Sequence, residues 1–218
     1  MTGELTNKPP RAIIDAFLEK HAVQHRGRLI FALDATASRE PAWDLATSLT
    51  AKMFEAVGGL PLNVQLVYYR GIGECQKTGW LSNARALTDK MRAVRCEAGE
   101  TQIGRVLKHT QRENAERKVE ALIFVGDSCE ESPDTLCATA ARLGLPVFLF
   151  LEGNNQRAAK VFGDIARLTK GAYCRFDQGS AKQLAELLGA VAAYAAGGRQ
   201  ALEARRDAGA IKLLQQLR

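Results

Sequence analysis

What the chain lacks narrows its function first. It has only three histidines, His21, His25 and His109, too scattered for a histidine-based metal site. Its five cysteines, Cys75, Cys96, Cys129, Cys137 and Cys174, include no C-x-x-C pair. An odd, scattered set of this kind argues against a disulfide framework or a zinc knuckle, and reduced thiols are the simple reading. With 6 prolines against 19 glycines in 218 residues, the composition is neither collagen-like nor of low complexity. No apolar run reaches the ~18 residues of a membrane span. The stretch Met1–Pro10 is polar and lacks the apolar segment of a secretory signal. A cytoplasmic protein with no membrane partner is therefore expected.

What is present fits a globular chain of one large domain, or one domain with an appendage: 46% hydrophobic and 25% charged residues. The net charge of +6 raises a nucleic-acid partner. The distribution speaks against it. Residues 199–218 hold five basic and two acidic side chains, residues 70–120 hold eleven and seven, and no stacking aromatics are interleaved with them. A solvated surface of mixed charge accounts for this pattern. One stretch has the opposite sign: Glu120 to Ala141 contains Glu120, Asp127, Glu130, Glu131 and Asp134 and no base. It predicts a local acidic pole, with Glu130 and Glu131 read first as surface charges and, as the alternative, as groups that raise cation affinity or repel acidic partners.

Periodicity and punctuation alternate strands with helices. Helices are expected over Pro9–His25, Pro41–Val57, Ser82–Arg95, Thr101–Asn114, Ser132–Leu143, Gln156–Thr169 (closed by Gly171) and Ser180–Ala195. After Gly197-Gly198, Arg199–Leu217 reads as an amphipathic helix or a loosely attached tail. Arg28–Ala35, Leu62–Tyr69, Val119–Val125, Pro146–Leu151 and Ala172–Phe176 read as strands, with a short edge strand within Arg70–Trp80. Nearly continuous apolar runs such as RLIFALDA suit strands covered on both faces. The pattern predicts an α/β three-layer sandwich around a mostly parallel sheet. In such sheets ligands bind beyond the carboxyl ends of the strands.

The residues that follow the strands are rich in oxygen. Asp34-Ala35-Thr36-Ala37-Ser38 follows the first strand, Gly99-Glu100-Thr101 precedes a helix, and Gly126-Asp127-Ser128 follows the Val119–Val125 strand. If those strands are neighbours, two carboxylates and several hydroxyls converge. Oxygen-only donors suit a hard cation, Mg²⁺ before Mn²⁺ or Ca²⁺, and a cation would relieve the repulsion between the carboxylates. The same hydroxyls also suit helix N-caps: Thr36 or Ser38 for the Pro41 helix, and Thr101 for its own.

On these residues the chain resembles the von Willebrand factor A (VWA) domain family. The run Asp34-x-Thr36-x-Ser38, Thr101 and Asp127 match, in order and local context, the family's metal-ion-dependent adhesion site. Phe162–Phe176 resembles its penultimate helix, glycine turn and last strand. The likeness covers about residues 26 to 195. It departs from the family in having Thr at 36 where Ser is usual, Gly126-Asp127-Ser128 in place of Thr-Asp-Gly, and Glu100 where glycine is common. The resemblance implies a six-stranded sheet of order 3-2-1-4-5-6 with one antiparallel edge strand. It also implies one Mg²⁺ held by Asp34, Thr36, Ser38, Thr101 and Asp127. An open coordination position would take an acidic side chain from a partner protein, in binding rather than catalysis, as in an adaptor or assembly factor. The corresponding division is a helical extension (1–25), a VWA-like domain (26–196) and a helical tail (197–218). Two alternatives stand beside it. One is an esterase-type hydrolase using Ser128 and Asp127, for which no histidine follows His109. The other is a structural VWA domain with a degenerate site.

Overall fold

The computed structural model describes residues 26–177 and 180–217. The Pro9–His25 helix expected from the sequence lies outside them. Six strands form one sheet in the order β3-β2-β1-β4-β5-β6. They are β1 (Gly27–Asp34), β2 (Leu62–Arg70), β3 (Glu74–Lys77), β4 (Ala121–Gly126), β5 (Val147–Glu152) and β6 (Ala172–Phe176). All neighbours are parallel except β2 and β3. The central strands β1, β4 and β5 are buried at every position, as their unbroken apolar runs require. Alternate residues serve the two faces. Leu29, Phe31 and Leu33 pack with Trp43, Met53 and Val191. Ile30 and Ala32 join Val106, Leu107 and Phe162 in a second core.

The helices correct several expected boundaries. The Pro41–Val57 stretch forms two helices, α1 (Glu40–Ser48) and α2 (Thr50–Glu55), parted at Leu49. Thr47, Ser48 and Thr50 donate their hydroxyls to the carbonyls of Trp43, Leu45 and Thr47, and such back-bonding competes with the regular ladder. α3 (Ala84–Arg92) starts after Asn83, whose side chain caps Ala86, so it is shorter than expected. α4 (Ile103–Glu116) starts beyond Thr101. α5 (Pro133–Ala140) is shorter than its periodic pattern, whereas α6 (Gln156–Thr169) has the expected bounds. It is Lys170, not Gly171, that takes the left-handed turn, at φ 56°. Gly171 is needed instead for contact, because a Cβ there would lie 1.9 Å from the Val147 carbonyl oxygen.

α7 (Ala181–Glu203) is interrupted at Gly197 and Gly198, the latter at φ 68°. The chain beyond is two helical pieces rather than one, because α8 (Ala208–Leu214) starts anew at Asp207, which caps Ala210. Leu202, Ala210, Leu213 and Leu217 are buried in the core that contains Phe31, so this segment is packed, not loose.

Candidate metal centre at the strand ends

β1 and β4 are adjacent, in register from Leu29↔Ala121 to Leu33↔Val125. Asp34 thus ends β1 beside the end of β4, and Asp127 follows directly after Gly126. Asp34 is 3% exposed. Its Oδ1 accepts the Thr36 backbone N–H at 2.8 Å, an Asx-type turn that swings the chain out of the strand into a 3-10 turn, Ala37–Arg39. Thr36 is buried and Ser38 is exposed on that turn.

Neither hydroxyl is used as a helix cap. Thr36 precedes the 3-10 turn and Arg39 precedes α1, and neither makes a side-chain capping bond. Thr101 is not the cap of α4 either, since Gln102 holds that place, again without a side-chain bond. Thr101 pairs reciprocally with Glu130: its N–H donates to Glu130 Oε2 at 2.9 Å and its Oγ1 accepts the Glu130 N–H at 3.1 Å. The loop before it is pinned to β1 and β2. Glu97 N–H donates to the Ala35 carbonyl, and Gly99 lies so close to Gly71 that a Cβ would sit 2.3 Å from its carbonyl oxygen.

Five further residues belong to this pole: Glu130 and Glu131, noted from the sequence only as part of its acidic stretch, and Arg39, Glu152 and Tyr69, which the sequence did not single out for the site. Arg39, 4% exposed, places Nη1 on Glu152 at the end of β5 and 3.5 Å from Asp127 Oδ2. One guanidinium thereby ties together the ends of three strands. Glu131 accepts the N–H groups of Ile103 and Gly104, and Glu130 that of Thr101. The two carboxylates cap the α4 N-terminus from another part of the chain, where the helix dipole favours negative charge. Glu131 is thus a half-buried anchor rather than the surface charge expected, whereas Glu130 is exposed as expected and holds Thr101 as well. The sequence offered one hint, the absence of any capping side chain at Gln102. Tyr69 completes the set. It is fully buried and stacked on Phe124, and its hydroxyl stands beside the Asp34 carboxyl without a well-formed hydrogen bond to any described residue.

The electrostatics follow the geometry. Burial raises the pKa of the Asp34 carboxyl, against the hydrogen bonds from Thr36 and the charge of Arg39, and Asp127 adds to the rise. Burial also lifts the Tyr69 phenol well above its ordinary range, with the charges of Asp34, Glu131 and Asp127 adding to it. Glu130 is lowered, chiefly by the Thr101 N–H. Asp34 has no ion pair among the described residues, and Arg39 is shared between two other acids.

Among the described residues no three His, Cys, Asp or Glu side chains form a metal cage. The donor set here is different: two carboxylates, Asp34 and Asp127, plus hydroxyls. The structure gathers Asp34, Thr36 and Asp127 about Arg39, sets Ser38 on the adjoining turn, and ties Thr101 to Glu130. The hydroxyls of Thr36 and Tyr69, which face the Asp34 carboxyl, and the exposed Ser38 hydroxyl fit a hydrated hard cation, whose ligands and waters are oxygen. Arg39 is the feature that competes with it.

No sequence profile of a known family matches the chain, and neither does any curated protein sequence. Solved structures do match in fold. The VWA domain of SpRpn10 aligns with a TM-score of 0.58 at 9% identity, over 74% of this chain and 94% of that one. An aerotolerance-related membrane protein of Bacteroides fragilis aligns at 0.56 and 15% identity, over 74% and 96%. The pilus adhesin SpaC of Lactobacillus rhamnosus GG aligns at 0.60 and 10% identity, over 78% of this chain but 30% of the adhesin. At these identities the likeness is one of architecture: the chain has a VWA-like α/β fold. No helix among the described residues is long and apolar enough to cross a membrane.

Proposed function

We propose that the chain is a cytoplasmic, non-enzymatic interaction module of the VWA type. In this reading Asp34, Thr36, Ser38, Thr101 and Asp127 hold Mg²⁺, with Mn²⁺ or Ca²⁺ as substitutes, and the metal takes an acidic side chain of a partner protein. The observation that carries it is a buried Asp34 without an ion pair among the described residues, beside hydroxyls that cap no helix. A buried carboxylate with no cation is costly, and a divalent ion is the charge the cluster lacks. Two carboxylates and neutral hydroxyls leave such an ion electrophilic enough to bind a third carboxylate, a charge-assisted and directional contact. Arg39 would hold part of Asp127's charge and weaken the metal accordingly.

A hydrolytic role gains little support. The Ser128 hydroxyl donates to Glu130 Oε1 at 2.9 Å. The one described histidine, His109, is bonded to Gln65 and stands by Lys77 and Glu113. Ser128 therefore has no histidine base among the described residues.

Thermal unfolding in EDTA, Mg²⁺, Mn²⁺ and Ca²⁺ tests the reading. A ligand at ~100 times its Kd adds about 2.7 kcal/mol. Mg²⁺ or Mn²⁺ is expected to raise the Tm of the wild type and to leave Asp34→Ala unmoved. If neither protein responds, the metal reading fails and the fold alone remains. Ser128→Ala should keep the full metal response. Loss of an ester-cleaving activity in that variant would favour the hydrolase instead.

A further inference from the structure

The two edges of the sheet are finished differently. At β6 the Gln216 side chain imitates a neighbouring strand: its Oε1 accepts the Tyr173 N–H and its Nε2 donates to the Tyr173 carbonyl, both at 2.9 Å. That edge is blocked to pairing at this point. β3 has no such cover among the described residues. Thr78 N–H donates to the Leu66 carbonyl, and Leu66 stands opposite Thr78 when the β2–β3 register is extended by one residue. Bonded and non-bonded pairs alternate in an antiparallel ladder, so Gln76 and Glu74 bond inward while Cys75 and Lys77 turn their N–H and C=O groups outward.

Beside this open edge a cleft of about 440 Å³ runs between β3 and α4. Lys77 lines it from the strand side and Arg105, Lys108, His109 and Arg112 from the helix side, and no carboxylate and no Phe, Tyr or Trp ring lines it. Arg105 is fixed at one end by donating to the Gly73 carbonyl at 2.6 Å. Arg105, Lys108 and Arg112 make no ion pair among the described residues. Lys77 comes only within 3.9 Å of Glu113, which is bonded to Arg28.

The spacing selects the ligand. Positions 105, 108 and 112 share one helix face, and at 1.5 Å per residue the last two are separated by about 6 Å along the axis. Alternate side chains of an extended strand recur every 6.6 Å or so. A single-stranded nucleic acid would want a row of aromatic rings for its successive bases, and the cleft offers one half-buried imidazole, His109. We propose that this cleft docks an extended acidic segment of a partner protein, added as a strand to the outer edge of β3, with Asp or Glu at alternate positions facing Lys77, Arg105, Lys108 and Arg112. Backbone pairing would supply affinity and the cationic row register and specificity. The site is separate from the metal reading and stands without it.

The probe is a fluorescein-labelled peptide of alternating Glu and Thr, followed by anisotropy in EDTA at low salt. Its Lys/Thr counterpart and labelled oligouridylate serve as comparisons. The acidic peptide is expected to bind, and the basic one not. The double variant Lys108→Glu/Arg112→Glu, at two exposed positions, should bind roughly tenfold more weakly or worse. Amide exchange at Cys75 and Lys77 should slow when the peptide is bound. Cys75→Pro, which removes an outward N–H and no ladder bond, should weaken binding and lessen the protection at Lys77. Asp34→Ala should bind as the wild type does, which keeps this site distinct from the metal centre. No binding of the acidic peptide, equal binding by the double variant, unprotected amides at 75 and 77, or tighter binding of oligouridylate would each overturn the proposal.

Discussion

Arg28 at the amino end of β1 and Asp34 at its carboxyl end are both buried, at 6% and 3% exposure, yet their surroundings are opposites. Arg28 is enclosed. It bonds to Glu113 at 3.0 Å and to the carbonyls of Arg117 and Lys118, and it lies 3.9 Å over the Trp80 ring. Glu113 is in turn met by Trp80 Nε1 and Gln65 Nε2. Nearly every donor there has an acceptor. At the other end Asp34 has no ion pair among the described residues, Arg39 leaves its Nε unmatched, and the Tyr69 hydroxyl makes no well-formed hydrogen bond among them. A closed network holds a fold together, whereas an incomplete one leaves bonding capacity for something from outside.

The largest effects should separate the two ends. Glu113→Ala strands the buried Arg28 charge and should cost about 3 kcal/mol or more in urea unfolding, a deficit that Mg²⁺ leaves unchanged. Arg39→Leu should cost about 2 to 3 kcal/mol in EDTA, because Asp127 and Glu152 lose this guanidinium. Mg²⁺ should restore part of that loss and bind more tightly than to the wild type, since its competitor is gone. If Mg²⁺ rescues both variants equally or neither, the contrast between a closed and an open cluster does not hold.

How far the sequence reaches follows the same division. The buried strands were legible because an apolar run is a local signal, and α6 and β6 could be bounded to the residue. The placement of Asp34, Thr36 and Ser38 after β1 and of Asp127 after β4 was legible too, since loops after strands are marked by the strands themselves; Thr101 lies instead in the loop between α3 and α4. Arg39 with Glu152, and Glu131 with the N-termini of Ile103 and Gly104, were not. Each pair spans more than twenty residues, and nothing local distinguishes an anchoring glutamate from a solvated one. The break at Leu49 failed for the opposite reason. Three neighbouring hydroxyls outbid the helix ladder over a stretch whose apolar period was intact.

A smaller effect should appear in two aromatic substitutions. Trp80→Phe removes a hydrogen bond to a charged acceptor and should cost about 1.5 kcal/mol. Tyr69→Phe removes a hydroxyl that makes no well-formed hydrogen bond among the described residues and should change metal-free stability by less than about 0.5 kcal/mol. A large loss on Tyr69→Phe in EDTA would show that its hydroxyl is satisfied within the protein and that the upper cluster is more closed than its geometry indicates.

The smallest effect concerns pH and belongs to the closed end. Burial lowers the His109 pKa below its ordinary 6.5, with the charge of Lys77 adding to the shift and Glu113 opposing it. As pH falls through about 6.5 the unfolded chain takes up this proton before the folded one, so stability declines from there down to the folded value and then levels. Glu113 acts lower on the scale. Burial pushes its carboxyl up, but the hydrogen bonds from Gln65 and Trp80 and the charges of His109 and Arg28 hold it below its ordinary 4.5. Its contribution is present above that value and is lost as pH falls through the folded one. Urea midpoints at a series of pH values, compared between wild type and His109→Gln, isolate the first window. Glutamine retains a partner for Gln65 and cannot take the proton, so the decline just below pH 6.5 should flatten while the lower one remains. An unchanged slope in His109→Gln would mean that a titrating group elsewhere carries this window, and the Glu113 network would then be indifferent to the charge on its histidine.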